Sequence, residues 1–410
     1  MRRGAIAVAG VTALTLLAGA PAQAKVEGDT IILGSAISLT GKYSTNGIHA
    51  QNGYELAVSR INEMGGVMVD GKSYKFKIVY YDDESTPARG AQLAERLIKQ
   101  DGVQYMLGPY SSGLTKAIAP ITEKYKIPMV EAEGASRSLF TQGYKYLFAV
   151  LSTSEQYLAS SIALAAETAE KNGKKPSDVR IAMAFENDPF SQDVRAGVMD
   201  DAKKYGMQIV IDDKLPRDLS DMSTTLTKVR ALKPDLLVVS GHSKGAATAA
   251  RQLAEMKIDT PMVAMTHCEA AKIISKFGAT TNDILCPTQW AETLSYSGKY
   301  FGTAEAYDKL FKATYEGYKN VPYQAAQASA AVLVWKDAFE RANSLDKDKV
   351  RDALSSTDME TFYGDIRFAP EGNNIAKPMV LRQVQDETLN VVAPSNYASH
   401  KMNWPRKAPN

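Results

Sequence analysis

Apolar residues along this chain recur in two alternating periods. Runs of strand length, Thr30–Gly34, Tyr74–Tyr81, Val103–Leu107 and Ile127–Val130, are continuously apolar or alternate apolar with polar. Between them apolar residues return every three to four positions. This spacing predicts helices over Gln51–Met64, with Leu56, Val58 and Ile61 inward, and over Ala88–Gln100, with Ala91, Ala94, Leu97 and Ile98 inward. Gly65-Gly66 stops the first of these. The rhythm restarts after Tyr146. Strands are predicted at Ile181–Phe185, Gln208–Ile211, Asp235–Val239 and Met262–Met265. Helices are predicted at Tyr157–Lys171, Gln192–Tyr205, Met222–Ala231 and Ala246–Met256. Alternating strands and helices imply an α/β protein with parallel sheets covered on both faces. Two successive series imply two lobes. The last third is more mixed, with helices at Glu305–Tyr318 and Gln324–Ala342, late strands at Thr361–Phe368 and Pro378–Val384, and an irregular tail after Pro394.

The stretch Met106–Ala117 (MLGPYSSGLTKA) has the most chemical content. A strand ends at Leu107, a Gly-Pro turn follows, and Ser111 and Ser112 open a helix through Ile118, Ile121 and Tyr125. A helix start carries unpaired amides and partial positive charge, so Ser111, Ser112 and the adjoining amides suit an anionic solute. The plain alternative is an ordinary capped helix. Ligands of such sheets bind beyond the carboxyl ends of the strands, so the facing turns of two lobes would line one cleft.

Length and charge narrow the class. The chain has 410 residues, room for two or three domains. Arg2 and Arg3, the apolar run Ala5–Ala18 and Ala22-Gln23-Ala24 read as an export signal cleaved after Ala24. The run is too short to span a bilayer. Removing it takes away two basic residues and no acid, leaving 46 of each sign, so nothing marks a nucleic-acid surface. Cys268 and Cys286 are the two cysteines; after export they form either a disulfide or two buried thiols. His267-Cys268-Glu269 lacks the spacing of a closed zinc site, so no metal is expected, and no cofactor. Gly241-His242-Ser243-Lys244-Gly245 fits the nucleophile-elbow pattern of hydrolases. The later histidines, His267 and His400, sit in no convincing catalytic loop, so a serine hydrolase is the weakest reading.

Taken in order, Gly34–Gly41 (GSAISLTG), Gly53–Gly66 (GYELAVSRINEMGG), Asp82-Asp83, Gly108–Thr115, Ala135-Ser136, Tyr363–Phe368 (YGDIRF) and Gly372 resemble the periplasmic Leu/Ile/Val-binding protein family. The resemblance implies a type I periplasmic binding fold, two doubly wound parallel-sheet lobes joined by a three-segment hinge. It implies lobe 1 from 25–152 plus 288–384 and lobe 2 from 153–287 plus 385–410. It also implies a monomeric, periplasmic, non-enzymatic receptor working with the permease and ATPase of an ABC importer, with branched-chain or related amino acids as ligand. By position, the ligand carboxylate falls to Ser112 with Ser111 beside it and to a second turn at Gly134, Ala135 and Ser136. Phe190, His242, His267 and Tyr323 fall at the other contact positions.

Two departures bear on the ligand. Where the family carries an Asp and a Glu for an ammonium, this chain reads Ser152-Thr153-Ser154-Glu155 and Met265-Thr266-His267. A buried ammonium without a carboxylate is costly, leaving Glu131, Glu133 or Glu155 as substitutes. The aromatic and histidine content suits instead an aromatic or other small organic carboxylate. A ligand-sensing module feeding a receptor is a further reading.

Overall fold

The structure, a computed structural model, describes residues 26–407. The expected export signal and cleavage point lie outside those residues. The first sheet holds β1 (Val26–Glu27), β2 (Thr30–Ile37), β3 (Val67–Val69), β4 (Lys72–Asp82), β5 (Met106–Leu107), β6 (Met129–Glu131) and β7 (Leu147–Ala149). Its order is β3-β4-β2-β5-β6-β7, with β1 beside β2. All pairs from β4 through β7 are parallel. The helices α1 (Ser44–Glu63), α2 (Pro87–Lys99) and α3 (Ser112–Tyr125) connect them.

The second lobe begins with α4 (Ala159–Lys171). Its strands β8 (Arg180–Glu186), β9 (Gln208–Leu215), β10 (Leu236–Ser240), β11 (Met262–Met265) and β12 (Ile284–Thr288) run parallel. The helices α5 (Pro189–Tyr205), α6 (Ser223–Leu232), α7 (Ser243–Glu255) and α8 (Ile273–Phe277) lie between them. The strands are continuously apolar where both faces are covered, as at Leu236–Val239, every residue of which is buried.

The chain then returns to the first lobe. A small hairpin, β13 (Ser297–Gly298) with β14 (Gly302–Thr303), precedes α9 (Ala304–Thr314), α10 (Tyr323–Ala342) and α11 (Lys347–Ser355). The alanines of α10 let it lie against α1 at backbone distance: a Cβ on Gly53 would stand 2.1 Å from the Ala325 carbonyl oxygen. Ser329 and Tyr307 hydroxyls close the seam on the Gly53 and Ala325 carbonyls at 2.6 and 3.0 Å. After the hairpin β15 (Asp358–Thr361) and β16 (Gly364–Arg367), the chain crosses a last time into β17 (Val380–Gln385) and β18 (Thr388–Ala393).

The second sheet is ordered β18-β17-β12-β11-β10-β8-β9. Residues 380–384, expected in lobe 1, therefore belong to the second lobe: β17 pairs antiparallel with β12, Leu285 facing Gln383. A strand pattern carries no label for the sheet it joins, and the free edge of β12 decides this one. The three crossings meet at Ser152, Gln289 and Lys377. Ser152 exchanges hydrogen bonds with the Gln289 side chain at 3.1 and 2.9 Å and donates to the Lys377 carbonyl at 2.7 Å.

Besides the short α8, which the sequence pattern does not predict, two helices differ from that pattern. α1 starts at Ser44, before Gln51, because Gly47 lets the first turn dock on the backbone; a Cβ there would sit 1.9 Å from the Ser38 carbonyl. α11 is highly charged and buries just Val350 and Leu354, so its period is faint; Asp346 caps it by accepting from the Asp348 and Lys349 amides. Among the described residues, no helix is long and apolar enough to cross a membrane.

Of the two possibilities for the cysteines, the structure shows the disulfide, Cys268–Cys286. It ties the loop after β11 to β12, closing a sequence separation of 18. Reduction, or paired replacement by serine, is expected to lower unfolding free energy by about 3 kcal/mol, readable in urea. An unchanged midpoint contradicts this.

Candidate functional site

In the first sheet β2 has β4 on one side and β5 on the other; in the second, β8 has β9 on one side and β10 on the other. Each is a point where strand order reverses and the following loops part, opening a crevice at the carboxyl ends. The loops leaving β2 and β5 carry Ser38–Tyr43 and Gly108–Ser111. Those leaving β8 and β10 carry Asn187-Asp188 and Gly241-His242. The four loops meet.

Tyr110 stands at the centre. Its hydroxyl lies 2.8 Å from Nδ1 of His242 and 3.0 Å from Nε2 of His267, joining lobe 1 to two side chains of lobe 2. His267 reaches this point from a left-handed backbone, φ 63°. Around these groups Ser112, Glu133, Tyr157, Phe190, Tyr323, Gln324 and Gln327 line a cavity between the lobes. Its space for the centre of a water molecule is about 10 Å³, room for about one water. The facing walls of the two lobes therefore stand close together here.

The polar lining is under-satisfied. Glu133 Oε1 and both side-chain polar atoms of Gln324 are buried without a hydrogen-bond partner. Such groups cost about 1–3 kcal/mol each, so the cavity holds donors and acceptors free to meet those of another molecule. At one end lies the start of α3. Ser111 is its N-cap residue but makes no side-chain cap, and it holds φ 104°, strained for a residue with a Cβ. The first amides of α3 thus have no side-chain cap from Ser111 and favour an anion.

Glu133, from the neighbouring turn of the same lobe, lines the cavity as well. Its Oε2 accepts from Gln327 Nε2 at 2.9 Å, while Oε1 is unpaired. Burial pushes its carboxyl well above the ordinary range; Glu131 adds to this and Gln327 opposes it. Glu131 is different. Burial pushes it up to about 7, but its oxygens accept from the amides of Glu133 and Gly134, at 2.5 and 2.8 Å, and from Thr115 Oγ1 at 2.8 Å. On lobe 2, burial and the neighbouring His242 hold His267 down to about 3, a neutral ring. Burial would raise Asp188 as well, but His242 and Ser191 outweigh it and hold the carboxyl below its usual value.

Of the residues singled out in the sequence, Ser112, Phe190, His242, His267 and Tyr323 line the cavity, and Ser111 flanks it. The Gly134–Ser136 turn is placed otherwise. The Gly134 amide is spent on Glu131, the Ala135 carbonyl accepts from the Ser154 amide, and the Ser136 amide donates to Ser112 Oγ at 3.0 Å. A Cβ on Gly134 would press on Thr115 Oγ1 at 2.3 Å, so this glycine serves close packing. The turn braces Ser112 from behind. Sequence reading missed Tyr110, Tyr157, Gln324 and Gln327 as lining groups. Tyr110 had a signal, its place directly before Ser111 at a strand's carboxyl end. Ser243, the elbow serine, gives its hydroxyl to Asn46 Oδ1 across the cleft.

A periplasmic binding protein family model matches residues 30–388. A Leu/Ile/Val-binding protein homolog 8 of Brucella abortus is 26% identical over 381 residues, covering 90% of this chain and 92% of the relative. The branched-chain amino acid transporter substrate binding protein LivJ of Streptococcus pneumoniae, solved with isoleucine, is 22% identical. It superposes with a TM-score of 0.74, covering 89% of this chain and 100% of that one. A solute binding protein of an R. palustris ABC transporter, solved with benzoate, is 18% identical with a TM-score of 0.72, covering 89% and 98%.

Proposed function

This chain belongs to the periplasmic binding protein family, and from that premise we propose that it is the solute receptor of an ABC importer for a branched-chain or related α-amino acid. It works in the periplasm as a monomer, closes on the solute and hands it unchanged to a membrane permease driven by an ATPase. The observation that carries the ligand class is a pair of unmet polar groups of opposite character: the uncapped start of α3 with Ser111 and Ser112, which favours an anion, and the unpaired Oε1 of the Glu133 carboxyl, which can ionise against a cation. A zwitterion answers both, its carboxylate on the helix amides and its ammonium on Glu133. The chemistry is binding alone. Ser243 is hydrogen-bonded to Asn46, and the nearest histidine in sequence, His242, turns Nδ1 to Tyr110.

A second reading has its own observation. Tyr110, Tyr157, Phe190 and Tyr323 ring the cavity, with centroids of Tyr157 and Phe190 5.1 Å apart. An aromatic carboxylate would stack among them and leave Glu133 protonated, as its burial favours. The solved benzoate-binding protein of like fold makes this the natural competitor.

The test is thermal shift and calorimetry on protein stripped of bound solute, against amino acids and amine-free aromatic acids. At a hundredfold excess over Kd a ligand of the folded state adds about 2.7 kcal/mol. Amino acids are expected to raise the melting temperature. A shift with aromatic acids alone overturns the amino-acid reading in favour of the second.

A further inference from the structure

Behind the lobe-2 wall of the cavity, and sharing His242 with its lining, lobe 2 gathers Glu186 from the end of β8, Asp188 from the N-cap of α5 and His242 from the turn after β10. One ligand atom of each lies within 4.8 Å of the others, and all three are buried. His242 Nε2 is the telling atom. The residue is 5% exposed, yet Nε2 makes no hydrogen bond; its neighbour Asp188 Oδ2 stands at 3.6 Å, too far for one. Two ligands each about 2.1 Å from one ion stand about 3.0–3.6 Å apart, so this separation fits a shared metal. We propose that Glu186, Asp188 and His242 form a site for a divalent first-row transition ion such as Zn²⁺ or Co²⁺, on the lobe-2 wall of the cleft.

The surroundings support each ligand. His242 Nδ1 is engaged by the Tyr110 hydroxyl, leaving Nε2 as the metal-facing nitrogen. Asp188 is fixed by the Ser191 amide and hydroxyl at 3.1 and 3.2 Å, and Glu186 Oε2 accepts from the His242 amide at 3.3 Å. One imidazole and two carboxylates suit zinc, cobalt, manganese or nickel. The set has no thiolate for a soft ion and too few oxygens for calcium. Two carboxylates balance the charge of the ion. All three ligands move with lobe 2, so the site needs no closure. Lys42 of lobe 1, with Nζ 3.9 Å from Glu186 Oε1, is the cation the ion would displace. The ligands are not adjacent in sequence, Glu186 and His242 being 56 positions apart, so no motif spacing announces them.

The test is titration of the chelator-treated mature protein with Co²⁺, followed by visible absorption and by calorimetry with Zn²⁺ competition. One ion per chain is expected, with the spectrum of a nitrogen-oxygen site. Asp188→Asn, which keeps the α5 cap, and Glu186→Gln should each weaken binding by at least about 100-fold, because loss of an outer-shell partner alone costs about 10–100-fold and these two are direct ligands. Glu133→Gln, on the other lobe, should leave it intact. Thermal melts confirm that each variant is folded. No saturable uptake up to millimolar metal overturns the proposal, as does uptake that both lobe-2 variants leave unchanged. Solute binding in the presence of chelator reports separately on the receptor function.

Discussion

Glu133→Gln is expected to weaken binding of an α-amino acid by at least about 30-fold, the lower end of the 2–5 kcal/mol lost when one partner of a buried charge pair is removed. The change is nearly isosteric. Oε2 is replaced in kind toward Gln327, so the lobe interface should survive, and what disappears is the negative charge at Oε1. An amine-free carboxylate should bind the variant as well as before, because its only anchor is the start of α3. The same carboxyl predicts a pH dependence. Its folded-state pKa lies well above the ordinary value because it is desolvated, with Glu131, Tyr110, Tyr157 and Tyr363 facing it. The empty protein thus holds Glu133 protonated at pH values where a free glutamate is ionised. An ammonium ligand needs the ionised form, so binding expels a proton. Affinity should rise with pH, by up to about tenfold per unit below that pKa, until the ligand ammonium itself deprotonates. Calorimetry in buffers of different ionisation enthalpy reads the proton directly. Amino-acid binding that is unchanged in Glu133→Gln and releases no proton would remove Glu133 from the site.

The second large effect is on stability. Glu269 and Arg382 form an ion pair with their side chains at 0% and 1% exposure, and Thr288 Oγ1 donates to Glu269 Oε1 at 2.9 Å. Glu292 stands farther from Arg382, at 4.0 Å, and is partly exposed. Glu269→Ala should cost about 3–5 kcal/mol, because it strands a guanidinium in the interior of lobe 2. Replacing both residues by apolar ones of similar volume should recover much of the loss. Urea denaturation of the three variants decides it. A single-variant cost under about 1 kcal/mol, the value of an exposed pair, would show that water reaches Arg382. Because Glu269 follows His267 by two positions in the same loop, the single variant should also weaken solute binding; the double variant separates charge from loop geometry.

The three candidate acids show where sequence reading runs out. Glu131, Glu133 and Glu155 are equally acidic and all stand near predicted turns. Folding distributes them differently. Glu131 is consumed by the amides of its own turn; Glu155 and Glu133 each keep one paired and one unpaired oxygen, but of these two Glu133 lines the cavity and Glu155 does not. Strand alternation puts 131 and 133 on one face, but which of them the turn amides capture depends on the backbone beyond β6. The Gly134–Ser136 turn is the converse. Its composition suits an anion site, yet the Gly134 and Ser136 amides are already paired within the fold.

By itself the sequence determined the α/β rhythm, two successive lobes, the strand ends whose loops line the cavity and the serine-opened helix, because each depends on residues close together in the chain. The tertiary structure alone decided that β17 closes the second sheet, that Tyr110 spans two histidines of the other lobe, and that Glu186, Asp188 and His242 converge. Those depend on strand order and on which loops two folded bodies bring face to face. Local periodicity records the burial of one face and says nothing of the partner that buries it.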